Sequence, residues 1–464
     1  MDSAVEMMAE HLQRRSHTQS PQSREEQKRS WYSAPPQLYV YDEDVVNILL
    51  NLSRAHISST FALFSDFEAN RDTRVELCLA MAAVGGLYCT APAGIKVAKM
   101  LFNDSRRLLL ERYLQDDSMP FDPALSFAKT FILLEIYGLC SGDKRAYEFN
   151  EVFHGSKLHA VSSCLSALPR DAPLDQRRQA QLLSEAMRVL DSYRVLLLRR
   201  PPSFMGETAL DPHTLSNMSR FQSLPTGGLI ATSSRGGPLD HHPPTATGMD
   251  HLVMVICYSW MASPQNTENS TYTPLWRLEF VELALDRWIR TQTTRTETPQ
   301  RPLEVSQMLL YHLTKVSLHS NLSHLQRLTP AALQAMVSRK DGDDILDSVR
   351  AWRNSRHFTI AHWHAKAILG IRMAQEAVAP SCRRVSSEKG GTRFAEAPHL
   401  PLCIYFATLI IWCEEVTSSD GRRGLGSVHA PSALEAGSQL LFRLKVPVSK
   451  LLGNILCELR SSES

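Results

Sequence analysis

The spacing of apolar residues is the feature that most constrains the fold, because these residues recur every three to four positions along most of the chain. Such spacing places apolar side chains on one face of an α-helix. Val97, Leu101 and Leu108 form one stripe of this kind, while Lys99 and Arg106 point to the opposite face. No segment alternates apolar and polar residues for long enough to indicate a β-strand. The sequence therefore predicts an all-α, multi-helix fold.

Individual helices can be predicted from the same spacing. We expect Asp122 to cap one helix with Pro123 at its first position, and Pro201 to end another. Gly85 and its neighbour Gly86 lie inside a predicted helix, where they allow a second helix to approach closely. The predicted helical ranges are a stretch within 42–64, then 73–89, 97–109, 122–142, 144–168, 175–198, 249–261, 275–294, 304–319, 344–377, 402–415 and 431–460.

Composition shifts divide the chain into two halves joined by a long loop. Residues 1–36 are polar and predict a disordered leader, and 37–202 form the N-terminal helical half. Residues 203–249 are rich in Ser, Thr, Gly, Pro and His, which predicts a flexible mid-chain loop. Residues 250–464 then form the C-terminal helical half. Within that half, we expect exposed loops at 380–396 and 417–427.

Charge and cysteine content exclude several classes of protein. The 464 residues carry 50 Lys and Arg against 48 Asp and Glu, a net charge of +2, so no strong excess of cations is available to neutralise phosphates. The 9 cysteines form no Cys-x-x-Cys pair, so the sequence predicts neither a zinc ribbon nor a redox motif. The longest apolar run, Leu402–Cys413, is too short to span a bilayer. We expect a soluble protein of a reducing compartment, without catalytic residues, cofactor or metal.

One charged cluster is the candidate regulatory site. Glu185, Arg188, Asp191 and Arg194 follow one another at three-residue steps, which makes opposite charges neighbours along a helix. If exposed, each pair stabilises the helix by about 0.2–0.5 kcal/mol. Acid–base chemistry would need paired carboxylates in a desolvated cleft, and no glycine-rich loop or nucleophile elbow accompanies them. The sequence favours a structural ion-pair ladder.

Three histidines offer a second candidate. His362 and His364 differ by about 200° around a helix and cannot ligate one ion together, whereas His357 and His364 share a face. No acidic or cysteine third ligand lies at a recognisable spacing, so a metal-dependent enzyme is the weaker reading. We expect histidines that pack at a helix interface.

Several segments, read in order, resemble the fungal-specific transcription factor domain, also called the middle homology region. The most specific is Met187–Pro202, which is similar to the family's charged helix with an arginine, an aspartate and an Arg-Pro corner. Ala186 and Val189 depart from it, because the family commonly has charge or an aromatic residue there. The other similar segments are Leu77–Leu87, Phe131–Gly138, Leu310–His319, Trp352–Ala365 and Ala397–Trp412.

This resemblance implies a nuclear regulator of transcription that controls a metabolic or secondary-metabolite gene set. Its implied partners are other transcription factors or a second copy of itself, with a small-molecule effector and no membrane. The first cysteine is Cys78, so the family's zinc DNA-binding module has no thiolates upstream and DNA contact would be indirect. Two alternatives stay open: the chain is part of a complete zinc-finger factor, or it is a non-enzymatic helical scaffold.

Overall fold

The computed structural model confirms the all-α prediction over the part of the chain that it describes, where helices occur and no strand does. The described residues are 42–70, 73–113, 119–203, 248–260, 275–293, 302–327, 347–382, 395–418 and 432–461. The predicted leader, nearly all of the loop 203–249 and most of 380–396 and 417–427 lie outside these ranges. A 3₁₀-helix spans Ala62–Phe64, and the α-helices are α1 Glu43–Ile57, α2 Val75–Leu87, α3 Gly94–Tyr113, α4 Phe121–Ser141, α5 Lys144–Val152, α6 His154–Ser166, α7 Leu174–Leu196, α8 Gly248–Ser259, α9 Leu275–Thr293, α10 Pro302–His319, α11 Leu322–Arg327, α12 Arg356–Cys382, α13 Leu400–Ser418, α14 Ala433–Phe442 and α15 Pro447–Ser461.

Two compact units can be distinguished by the density of contacts. One contains residues 1–186 and 299–464, and the other contains 187–298. In the second unit, α8 packs against α9, and Trp288 of α9 is fully buried. The division of the chain into the helical halves 37–202 and 250–464 stays a prediction.

Helix α2 lies at the centre of the first unit because it is apolar on every face. It packs against α1, α3 and α4, and Met81 and Val84 have no exposed surface. A side chain at Gly85 would place its Cβ 1.8 Å from the carbonyl oxygen of Leu49, and one at Gly86 would lie 2.6 Å from the Cβ of Ala98. The two glycines therefore permit close helix packing, as predicted.

Helix α4 is a core helix whose bounds agree with the predicted range 122–142 to within one residue. By length and composition alone it could cross a membrane, but 83% of its most apolar window is buried inside the protein. It begins at Phe121 after Pro120, so the prediction that Asp122 caps it is wrong; Asp122 lies in the first turn instead. A carboxylate there still interacts favourably with the helix dipole. The helix ends at Ser141 and is capped by Gly142, whose φ of 67° is the left-handed conformation that glycine adopts most easily.

Three predicted helices are each divided in the structure. The range 144–168 is two helices, which meet at Phe153, and both of them pack against α4. The range 344–377 is interrupted at Ser355, whose hydroxyl accepts the backbone N–H of Phe358 in the first turn of α12. The range 431–460 is α14 and α15, and Pro447 begins the second of them. The backbone N–H groups of a helix's first turn have no partner within the helix, so a proline, which lacks this group, costs nothing there.

The last helices form the rest of the first unit. α12 packs against α10 and α13, and α13 also contacts α10, α14 and α15. α15 packs back on α4. Residues 443–446 join α14 to α15, and Ser432 caps α14 with its hydroxyl, which accepts the N–H of Glu435. The packing of α10 against α12 sets the positions of the histidines described next.

Candidate functional site

The predicted ladder lies on α7, as expected, but it is not a solvated helix face. Glu185, Asp191 and Arg194 are all buried, with 6%, 1% and 8% of their surface exposed, and only Arg188 is half-buried. This helix carries apolar residues on more than one side, so charged residues spaced three apart lie on faces that other residues cover. Charges that are removed from water in this way must be compensated by neighbouring groups. The ladder positions are therefore structural parts of a packed region.

Two charges of the ladder, Asp191 and Arg188, act on a cysteine that lies with them in the second unit. Burial raises the pKa of the Cys257 thiol, Asp191 raises it further, and Arg188 opposes this change. A thiol that stays protonated is neither a nucleophile nor a metal ligand. Cys257, which is 2% exposed, is therefore a packing residue.

Helix α7 ends earlier than the two prolines require. It ends at Leu196, and Arg199 adopts a left-handed conformation with φ 56°. The N–H of Arg200 donates to the carbonyl oxygen of Arg194 at 2.8 Å, which satisfies one of the last carbonyl groups of the helix. The prediction that Pro201 ends the helix is wrong. Burial also lowers the pKa of Arg199 to about 10.

Two pairs of histidines join α10 to α12 within the first unit. His312 of α10 meets His364 of α12 with 2.8 Å between their Nδ1 atoms. His319 of α10 meets His357 of α12 with 2.9 Å between theirs. The two histidines of α10 are seven residues apart, and so are the two of α12. Antiparallel packing of the two helices therefore brings both pairs together in register. The expectation of histidines at a helix interface is confirmed.

The inner pair, His312 and His364, is buried and neutral near pH 7. Burial lowers the pKa of His312 to about 4. Burial also lowers the pKa of His364 to about 3, and the nearby His312, Lys315 and His319 contribute to this change. Two nitrogens at 2.8 Å need one hydrogen between them, so one ring donates its Nδ1–H and the other accepts it. The inner pair is thus a hydrogen bond between opposite tautomers.

The outer pair differs in its access to water. His319 is buried, whereas His357 is exposed. The indole Nε1–H of Trp352 donates to the carbonyl oxygen of His319 at 2.6 Å, and the Trp352 ring meets Phe358 edge-on. The backbone around this pair is therefore held by contacts that do not involve the imidazole rings.

His362 points elsewhere, as its position on the helix predicts. Its Nε2 lies 2.8 Å from Oε2 of Glu414 on α13, and the ammonium of Lys366 lies 3.9 Å from the same oxygen. Burial lowers the pKa of His362, while Glu414 raises it. His362 therefore contributes to the contact between α12 and α13, and it belongs to neither pair.

The sequence reasoning missed the partners on α10. It considered His357 and His364 without a third ligand, but it did not connect them with His312 and His319. The matching seven-residue spacing in two separate helices was the available signal. Within the described ranges, no group of three or more His, Cys, Asp or Glu residues is arranged to hold a metal ion. What these pairs can do chemically is share a proton or offer two nitrogen ligands.

A second polar cluster of the first unit joins three distant segments. The Nδ1 of His56 accepts the N–H of Glu396 at 3.0 Å, and the Glu396 carboxylate accepts the N–H of Lys445 at 2.9 Å. The His56 ring stacks on Tyr88 with 4.2 Å between centroids. Burial raises the pKa of Glu396, and Lys445 and Arg372 oppose this change. These bonds tie the chain together, so we interpret the cluster as structural.

In comparisons with known proteins, no family model, curated protein or solved structure matches this chain.

Proposed function

We propose that this chain is the regulatory domain of a fungal transcription factor and that it acts in the nucleus. The supporting observation is the segment Met187–Pro202, which follows the order of the family's charged helix: arginine, aspartate, then an Arg-Pro corner. Asp191 and Arg194 are buried on α7, so the charged positions of this segment belong to a packed body. This arrangement suits a domain that changes its contacts by packing and binding rather than by catalysis.

The proposed action is binding and switching. A helical body can hold alternative packings of nearly equal free energy, and a ligand or partner that prefers one of them shifts the population. The proposed partners are other transcription factors or a second copy of the chain, and a small-molecule effector would act through the same shift. The proposed target is a metabolic or secondary-metabolite gene set.

Contact with DNA is proposed to be indirect. Specific DNA binding rests on a concentrated cationic surface, and the whole chain carries a net charge of only +2. DNA would then be reached through a partner, or through a zinc module that precedes the domain in the complete factor.

Deletion of the gene, followed by a comparison of transcripts, tests the regulatory role. We expect a group of neighbouring genes to change in expression, and we expect a tagged chain to accumulate in the nucleus. Unchanged transcripts, or exclusion of the tagged chain from the nucleus, would contradict the proposal.

A gel-shift titration tests the indirect mechanism separately. The purified chain should show no tight, sequence-selective binding to duplexes from the promoters of the affected genes. Selective binding by the chain alone would overturn the indirect mechanism while leaving the regulatory role in place.

A pair of matched variants links the function to the charged helix. In the deletion strain, Asp191→Asn should fail to restore the transcripts, because it removes a buried charge from α7. Asp347→Asn is the control, since Asp347 is exposed and pairs with Arg350 in its own helical turn. Protein abundance should be measured for both. Full restoration by Asp191→Asn would contradict a regulatory role for this segment.

A further inference from the structure

The outer histidine pair places two nitrogen ligands at the end of α10 and the start of α12. The Nδ1 atoms of His319 and His357 face each other at 2.9 Å, and the two rings are tilted by 33°. Neutral imidazole is among the commonest metal ligands in proteins. Two imidazole nitrogens at this distance can be joined by a shared proton, or by a metal ion that takes the place of the proton.

The separation of the two nitrogens favours a particular class of ion. With metal–nitrogen bonds of about 2.0–2.1 Å, a 2.9 Å separation corresponds to an N–metal–N angle of about 90°. Tetrahedral zinc would need nitrogens about 3.3 Å apart. An angle near 90° is that of neighbouring positions in the square-planar or octahedral coordination that copper and nickel favour.

Access to water separates this pair from the inner one. His357 is exposed, so water can fill the coordination positions that the protein leaves open. His312 and His364 are both buried, and the ammonium of Lys315 acts on His364. A hydrated cation is therefore excluded from the inner pair, and the outer pair is the one suited to an ion.

The outer pair is also held in place by its surroundings. The bond from Trp352 fixes the backbone of His319, and Phe358 follows His357 in the chain and packs on Trp352. Ligands on the ends of packed helices lose little conformational freedom when they bind an ion.

We infer that His319 and His357 form a two-histidine site for a divalent transition-metal ion of the nickel and copper type. The ion is bound by the two Nδ1 atoms and by water, and it clamps the end of α10 to the start of α12. Two neutral ligands, with Arg353 and Arg356 close in sequence, make the site weak and exchangeable. The inference rests on this geometry and is independent of the proposed regulatory function.

Titration of the purified full chain with Ni²⁺ tests the site. The informative variant is His357→Asn, because an asparagine can still form a hydrogen bond with His319 but is a poor metal ligand. We expect the wild type to bind one more Ni²⁺ per chain than the variant in equilibrium dialysis. Binding at this site should weaken by at least about tenfold, the lower end of the loss that indirect changes around a metal produce.

Thermal unfolding gives a second measurement on the same proteins. Ni²⁺ should raise the unfolding temperature of the wild type, because a ligand that binds only the folded state stabilises it. The increase should be lost in His357→Asn, while the unfolding temperatures without metal stay equal. His159→Asn is the matched control, since His159 is an exposed helical histidine on α6 and should keep both the extra ion and the shift. Equal Ni²⁺ binding and equal temperature shifts in the wild type and His357→Asn would overturn the inference and leave a shared proton as the occupant.

Discussion

At the scale of single residues, the inner histidine pair links stability to pH. An unfolded imidazole takes up a proton near pH 6.5, whereas burial lowers the pKa of His312 to about 4. The unfolded chain therefore binds more protons between these values, and stability falls as the pH falls through this window. His364 acts in the same direction, because burial lowers its pKa as well.

The prediction concerns the variant His312→Leu/His364→Leu. Between pH 7 and pH 5, the free energy of unfolding of the wild type should fall by roughly 2 kcal/mol per histidine more than that of the double variant. Urea unfolding at several pH values measures this difference. His159→Asn, which replaces an exposed histidine, should follow the wild type. Parallel pH profiles for the wild type and the double variant would contradict neutral burial of the pair.

A buried ion pair makes a second prediction at the residue scale. The ammonium of Lys157 on α6 binds the carboxylate of Glu135 on α4, and the two residues are only 2% and 6% exposed. Glu135→Gln leaves a buried ammonium without its counter-charge, which should cost about 3–5 kcal/mol. Replacing both residues, as Glu135→Gln/Lys157→Met, should cost much less than the sum of the single variants. Urea unfolding of the three variants measures the coupling.

An exposed pair provides the control for that cycle. Lys144 and Glu148 lie four residues apart on α5, and both are exposed. Lys144→Met should change the free energy of unfolding by less than about 1 kcal/mol, the range for surface pairs. If Glu135→Gln were as mild as this control, the pair would not be buried as the structure has it.

At the scale of elements, two helical glycines should respond to the same substitution with opposite sign. Gly85→Ala brings a Cβ to 1.8 Å from the backbone of α1, and neither backbone can move without unpacking α2. The free energy of unfolding should fall by at least about 1–3 kcal/mol, the typical cost of overpacking. Gly370→Ala has open space around it within α12 and should stabilise the protein by about 0.5–1 kcal/mol. Thermal unfolding of both variants checks the signs, and destabilisation by Gly370→Ala would contradict an exposed, regular α12.

The helices show how far the sequence could be used. Apolar spacing identified α3 and α10, because buried stripes depend on local periodicity alone, and a nearly continuous apolar run identified α2. It failed at Phe153 and Ser355, where a helix bends or restarts so that both parts can pack on a neighbour. Proline was also misleading: Pro201 did not end α7, and Pro447 was overlooked as the start of α15.

The candidate sites show a different limit. The residues of the ladder were correctly placed on one helix, but their burial could not be predicted, because it depends on which helices cover α7. The histidine pairs needed two facts, the antiparallel contact of α10 with α12 and its register. Only the second left a trace in the sequence, as the equal spacing of His312 to His319 and His357 to His364.

At the scale of the whole molecule, thiol reactivity reports how well the described core is packed. Of the 9 cysteines, eight lie in the described ranges as thiols outside any disulfide bond, and six of these are buried. The thiolate is the reactive form, and burial raises the pKa of Cys140 and Cys413 to about 12. Among the eight described cysteines, the reactive set is therefore limited to the half-buried Cys78 and Cys457.

Of the eight described cysteines, native labelling with a thiol reagent at pH 7.5 should thus modify at most these two quickly, and denaturant should expose all 9. Cys78 should be slow among them, because burial and the nearby Glu76 raise its pKa to about 11. Mass spectrometry of labelled peptides identifies the sites, and Cys457→Ser, which replaces a half-buried residue near the chain end, should remove one label without changing the rest. Rapid labelling of Cys140, Cys403 or Cys413 in the folded protein would mean that the helical core around α4 and α13 is not packed as described.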